Sequence, residues 1–328
     1  MKEAIEEREL IVLDGLGGLI RGTYHKASDE NGGEEASPIA QDRVGVLFLN
    51  STSPTRAANG DAAVYLADSF AKCGYPSFRI DLPGFGDSEG DPTEDLIGFI
   101  NRGGYASIAS AKVSELVARF NLSGVVIVGH CAGSVSALFT AAASRECRGV
   151  VLIGPYFYLP QAIGPAKTRK QPELSDLQRH FRRFSSKISG LVKEIRLSLR
   201  GSGLPENANY PLLRSWKKVA SKGLPILILK GPDRKATGMK PRAGEFDYLK
   251  YVLRIAGRRS QVTVKVTDGA NNAFANRQGR AAVRQHTEQW LNACFPIAVN
   301  KESGAHALHR EPGNRDNDYE NRKQCLKV

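Results

Sequence analysis

The stretch that most restricts the fold is VVIVGHCAGSVSAL, Val125 to Leu138. Four apolar residues lead into Gly129, His130-Cys131-Ala132-Gly133 follows, and a small-residue run of helical character comes next. A short continuous apolar run is the pattern of a strand buried on both faces. Gly-x-Cys-x-Gly between such a strand and a helix describes a sharp turn. It lifts one side chain, that of Cys131, above the edge of a sheet, with glycine wherever a Cβ would clash. A sheet of this kind needs further strands beside it and helices over both faces.

Those elements follow in order. Glu9 to Asp14 and Leu19 to His25 read as two strands around Gly15-Leu16-Gly17-Gly18, a hairpin. Residues 26–42 are polar and Gly-containing and read as a long mobile loop. Val44 to Asn50 is an apolar strand, Asp61 to Cys73 a helix stopped by Gly74, and Ser77 to Asp81 the next strand. DLPGFGDSEGD, Asp81 to Asp91, is a Gly/Pro-rich turn at its end, and helix signals return from Thr93 to Phe120. The helix after Cys131 runs to about Arg145. Strands at Gly149 to Ile153, Pro225 to Leu229 and Gln261 to Thr267 then alternate with helices at Gly244 to Ala256 and Gly279 to Phe295. Alternation of this kind predicts a mostly parallel sheet in one domain over residues 1–299. Residues 300–328 are almost free of apolar side chains and read as a disordered polar tail.

No apolar run approaches the ~18–20 residues that span a bilayer. The charged start Met1-Lys2-Glu3 does not fit a signal peptide. Five scattered cysteines without a C-x-x-C pair suit a reducing cytoplasm and give no support to structural zinc or another cofactor. Ten of the twelve net positive charges fall between Pro160 and Lys222, where fourteen Lys/Arg meet four Asp/Glu. Such a segment is a solvated helical face or an attractor of anionic ligands.

Several local matches now add up. FLN (Phe48 to Asn50), RIDLPGFGDSEG (Arg79 to Gly90), the Gly-x-Cys-x-Gly turn, PILILKGPD (Pro225 to Asp233) and GANNAF (Gly269 to Phe274) occur in this order. From about Ile11 to Phe295 the chain resembles the α/β-hydrolase fold, which implies helices on both faces of the sheet and an inserted helical lid. Cys at the turn together with LNSTSPTR (Leu49 to Arg56) is similar to bacterial serine-aminopeptidase-like hydrolases with a cysteine at the nucleophile elbow. Dienelactone hydrolases are a second group with such an elbow.

The resemblance implies roles for individual residues. Cys131 takes the nucleophile position, at a helix N-terminus whose free N–H groups favour a thiolate. Its bland alternative is a buried structural cysteine. The oxyanion hole falls to the backbone N–H of Ala132 and one from Ser51 or Thr52, although Asn50-Ser51-Thr52 also suits an ordinary turn. Asp233 takes the position of the triad acid, with a plain turn Asp as its alternative and Glu245 or Asp247 as substitutes. Asn272 stands where the family carries its histidine. An amide accepts no proton near neutral pH, so the triad is degenerate. The six histidines, His25, His130, His180, His286, His306 and His309, offer no clear replacement. His286 shares a helical stripe with Val283, Trp290 and Leu291 and reads as packing.

A thiol depends less on a neighbouring base than a serine does. Acylation of Cys131 by an ester or thioester is therefore expected to outpace hydrolysis, because attacking water needs a proton acceptor. Two functions remain open: a cytoplasmic hydrolase or acyltransferase working through a Cys131 acyl-enzyme, and a non-catalytic member binding an acyl ligand or a protein.

The insert, about residues 156–222, contains Ser175 to Arg200. There Leu177, Phe181, Phe184, Ile188, Leu191, Ile195 and Leu199 form one stripe and Lys/Arg occupy the other faces. A lid over the pocket is the first expectation for it, a homodimer contact the second and an acidic membrane surface the third. A small acyl substrate, anionic if it uses the basic segment, is the expected partner. Nucleic acid is disfavoured because no recognition module is present.

Overall fold

In the computed structural model, the residues described are 7–15, 18–28, 43–50, 52–91, 93–159, 204–232, 246–267 and 276–297. Eight strands are β1 (Arg8–Leu13), β2 (Ile20–His25), β3 (Val44–Leu49), β4 (Ser77–Ile80), β5 (Gly124–His130), β6 (Cys147–Ile153), β7 (Pro225–Lys230) and β8 (Gln261–Val266). They form one sheet in the order β1-β2-β4-β3-β5-β6-β7-β8. β1 and β2 pair antiparallel, as do β2 and β4, and every pairing from β4 to β8 is parallel.

Side chains alternate across a strand, so a strand without polar residues is buried on both faces. On β5, Val125 and Ile127 face one core with helices α2 (Leu96–Asn101), α3 (Ala106–Arg119), α4 (Ala132–Ala143), α5 (Tyr210–Ser221) and α6 (Tyr248–Ala256). Val126 and Val128 face the other, beneath α1 (Ala62–Lys72) and α7 (Arg277–Cys294). Among the described residues, no helix is long and apolar enough to cross a membrane.

The expected elements are present, with two differences. The expected helix from Thr93 to Phe120 is two helices. Gly103 sits at φ 78° between them, and a Cβ at Gly104 would collide with the Phe99 ring. The second concerns α5, which falls inside the expected insert of about 156–222. α5 covers the sheet with Leu212, Leu213, Trp216 and Val219 buried, and Trp216 Nε1 donates to Val252 O of α6 at 2.8 Å. Its Arg214, Lys217 and Lys218 face solvent. The stripe from Ser175 to Arg200, the tail at 300–328 and the loop from 29 to 42 lie outside the described residues.

Beneath α1 runs a buried polar chain. Arg79 Nε on β4 donates to His25 Nε2 on β2 at 2.8 Å. The His25 proton is therefore on Nδ1, which donates to Asp68 Oδ1 of α1 at 2.7 Å. Burial, then the Arg79 charge, pushes the His25 pKa down to about 4 from 6.5. The unfolded chain then takes up this proton near pH 6.5, while the folded chain refuses it until about pH 4. Stability is thus complete above pH 6.5 and falls as the pH drops through that window. Urea midpoints at pH 7.5 and pH 5 should show this loss, and His25→Gln should flatten the slope while lowering stability at pH 7.5.

Candidate active site

The carboxyl end of β5 turns into α4 at a single residue. Cys131 has φ 52° and ψ −117°, a region that residues with a Cβ rarely enter. Its N–H donates to Ile153 O at the end of β6 at 2.8 Å, and its carbonyl accepts from Ser134 N at 3.0 Å. Ser134 Oγ reaches back to Gly129 O at 2.7 Å. The two glycines of the motif answer to sterics. A Cβ on Gly129 would collide with the Gly133 carbonyl. One on Gly133 would lie 2.9 Å from Asn50 O and 3.0 Å from Leu49 O. α4 is buried along nearly its whole length, so the strained turn has no room to relax. Cys131 itself is exposed. As the first residue of α4, Ala132 has an N–H with no acceptor inside the helix.

Two neighbours of the elbow are titratable. Burial pushes His130 down to about 4, so it is a neutral imidazole at physiological pH. It lines a cleft together with Asn50, Ser53, Arg56, Gly129 and Ile153; Cys131 is not part of that lining. Tyr156, just beyond β6, is pushed up to about 12, by burial first and then by the charge of Cys131. Its hydroxyl bonds the side chain of Asn101, which in turn accepts from Asn209 Nδ2. Tyr156 also contacts Tyr158, with ring centroids 5.5 Å apart.

The loop after β3 is clamped from below. Asn50 donates to Asp81 Oδ1 at 3.3 Å and accepts from Leu82 N at 3.0 Å, so its side chain ties β3 to the turn after β4. Asp81 is completely buried. Arg56 Nη1 bonds Asp81 Oδ2 and, at 2.8 Å, Asp87 Oδ2. Gly86, at φ 47°, lies against the Asp81 carboxylate where a Cβ would collide, and its N–H donates to Pro54 O at 2.7 Å. The DLPGFGDSEG turn therefore braces the loop that leads to Ser51 and Thr52. The signal for this clamp was an Asp ending a strand ahead of two closely spaced glycines, with an Arg in the preceding loop; charge pairing between them is invisible in one sequence.

Of the expected site residues, the structure places Cys131 and Ala132 together at the elbow. Ser51, Asp233 and Asn272 lie outside the described residues, as do Glu245, His180, His306 and His309. The strands that lead to Asp233 and Asn272 end side by side, with Thr267 N donating to Lys230 O at 2.8 Å. Being parallel to β5, they end at the same sheet edge as Cys131. Asp247 caps α6, accepting from Lys250 N at 2.9 Å. His25 has both ring nitrogens engaged in the chain beneath α1. His286 lies on α7 with a buried Nδ1 that has no hydrogen-bond partner.

Removing one member of a buried ion pair leaves an uncompensated charge, at a cost of about 3–5 kcal/mol. Arg56→Met is therefore expected to lower unfolding stability by roughly 3 kcal/mol, and Arg56→Met with Asp81→Asn to recover part of it. Urea denaturation of the single and double variants measures both.

A sequence model of the alpha/beta hydrolase fold matches residues 54–193. No curated protein matches the chain. Among solved structures, DcsB in complex with its substrate analogue superimposes with a TM-score of 0.54 at 15% identity, over 87% of this chain and 99% of that one. The alpha/beta hydrolase GrgF from Penicillium sp. sh18 gives 0.52 at 14%, over 87% and 98%. The esterase Pf2001 of Pyrococcus furiosus gives 0.51 at 16%, over 88% and 91%. With an eight-stranded, mostly parallel sheet, helices on both faces and a strained elbow after β5, this chain has the α/β-hydrolase fold.

Proposed function

We propose that the chain is a hydrolase or acyltransferase that acts on a carboxylic ester or thioester through an acyl-thioester at Cys131. The observation that carries this reading is the backbone of Cys131. A non-glycine residue at φ 52° and ψ −117° costs about 1–3 kcal/mol, and strain of this kind clusters at functional sites. Here it holds an exposed thiol at the start of a buried helix. Ester chemistry is in keeping with the Pyrococcus furiosus esterase of the same fold.

In the first half-reaction the Cys131 thiolate attacks the carbonyl carbon. The C–S bond forms, the carbonyl electron pair moves to oxygen, and the oxyanion is within the reach expected of the Ala132 N–H, with Ser51 as the proposed second donor. Collapse of the adduct breaks the bond to the leaving alkoxide or thiolate, which takes a proton from solvent. In the second half an acceptor attacks the thioester and releases Cys131. Asn272, in the base position, accepts no proton, so Asp233 has no imidazole to orient. Water is then a slow acceptor, and an amine or thiol that brings its own nucleophilicity is a better one.

Initial rates and pre-steady-state traces on aryl esters and acyl thioesters test this. Cys131→Ala should remove activity by at least ~10³-fold. The wild type should give a burst followed by a slow phase, and Asn272→His should accelerate that slow phase by ~10²-fold. Background rates in all three folded proteins would sink the reading and leave a protein that binds an acyl ligand or a partner in the same fold.

A further inference from the structure

The feature that the site does not use is the outer edge of β1. Lys26 N donates to Glu7 O at 2.9 Å, and the β1–β2 register pairs these strands residue by residue from Arg8 with His25 to Leu13 with Ile20. In an antiparallel ladder, hydrogen-bonded pairs alternate. Glu9, Ile11 and Leu13 therefore spend their backbone groups on β2, while Arg8, Leu10 and Val12 turn theirs outward. The next ladder agrees: Asp81 N donates to Arg21 O, which directs the odd residues of β2 to β4 and leaves the even ones for β1.

Among the described residues no strand pairs with that edge. The strand carries no proline, bulge or lysine, and its charged residues, Arg8 and Glu9, lie at its start. On its exposed face Arg8 is followed by two apolar side chains, Leu10 at 76% and Val12 at 45% exposure. Two edge groups near its end are already taken by α3, where Arg119 Nη1 donates to Val12 O at 2.9 Å and Glu115 Oε1 accepts from Asp14 N at 3.3 Å.

We propose that β1 pairs antiparallel with β1 of a second copy of this chain, about a twofold axis at Leu10. The free backbone groups select this register. They are centred on Leu10, so Leu10 pairs with the partner's Leu10 and Arg8 with the partner's Val12. The Val12 carbonyl uses its second lone pair for this, and Asp14 N stays with Glu115. A register centred one residue on, at Ile11, would need Asp14 N. Directly opposed residues share a face, so the two Leu10 side chains meet at the axis with Val12 beside them. From Arg8 to Val12 no like charges are directly opposed, and Arg8 keeps its ion pair with Asp68 of its own α1. The contact is isologous and closed, so it gives a dimer and not a fibre. It continues the sheet across both copies on the side of the molecule away from β8 and leaves both elbows open.

Light scattering and sedimentation over a dilution series of the full chain test this. The wild type should weigh twice the chain's 35.7 kDa. Leu10→Lys, which places two like charges on the axis at an exposed position, should give a folded monomer whose melting temperature no longer depends on protein concentration. Leu253→Lys, at an exposed apolar residue of α6, should remain a dimer. Amide exchange at Arg8, Leu10 and Val12 should be slow in the dimer and fast in Leu10→Lys. A wild-type mass of one chain, a Leu10→Lys protein that keeps the dimer, or dissociation by Leu253→Lys to the same extent would each overturn the proposal.

Discussion

Backbone touches backbone at the carboxyl edge of the sheet, and the geometry of the site descends from that contact. Gly129 passes so near the Gly133 carbonyl, and Gly133 so near Asn50 O, that neither position admits a side chain. This approach lets β5 reverse into α4 within one residue and forces that residue, Cys131, into a positive φ. The small side chains of α4, alanines and serines for the most part, let the helix lie close against β5 and β6. The strain at Cys131 is offset by burial elsewhere in the same unit.

Two buried charge systems hold what surrounds this contact. Asp81 with Arg56 and Asn50 fixes the loop after β3, which the elbow itself touches through Gly133. Asp68, His25 and Arg79 tie α1 to β2 and β4, and Arg79 Nη1 also donates to Arg56 O at 3.3 Å. The two systems are therefore joined. An opening of one would be felt by the other, because each polar atom that leaves its partner inside the fold stays unsatisfied.

The fold was legible because its strands are apolar on both faces and its turns carry glycine where a Cβ collides. VGVLFL and GVVIVGH admit few other readings. The elbow was legible for the same reason, since Gly-x-Cys-x-Gly is a steric requirement written in residue types. The Gly103 break was missed because apolar spacing continues across it from Ile100 to Ala109. α5 was assigned to the insert because it lies between β6 and β7, where the resembled fold places a lid, although Trp216, Leu212 and Val219 form a clear inward stripe. The clamp at Asp81 was missed for another reason: ion pairs depend on which loops fold against each other, and local spacing does not encode that. Asp233, Asn272 and Ser51 rest on resemblance.

α4 has one more consequence, for the order in which the site comes into being. A helix of small residues with little exposed surface has almost no stability of its own. It is held by β5, β6, α3 and α5, so it cannot assemble ahead of the sheet or outlast it. Its amides are therefore expected to exchange only when the whole protein opens. The position of Cys131 is then a property of the global fold and not of a local loop.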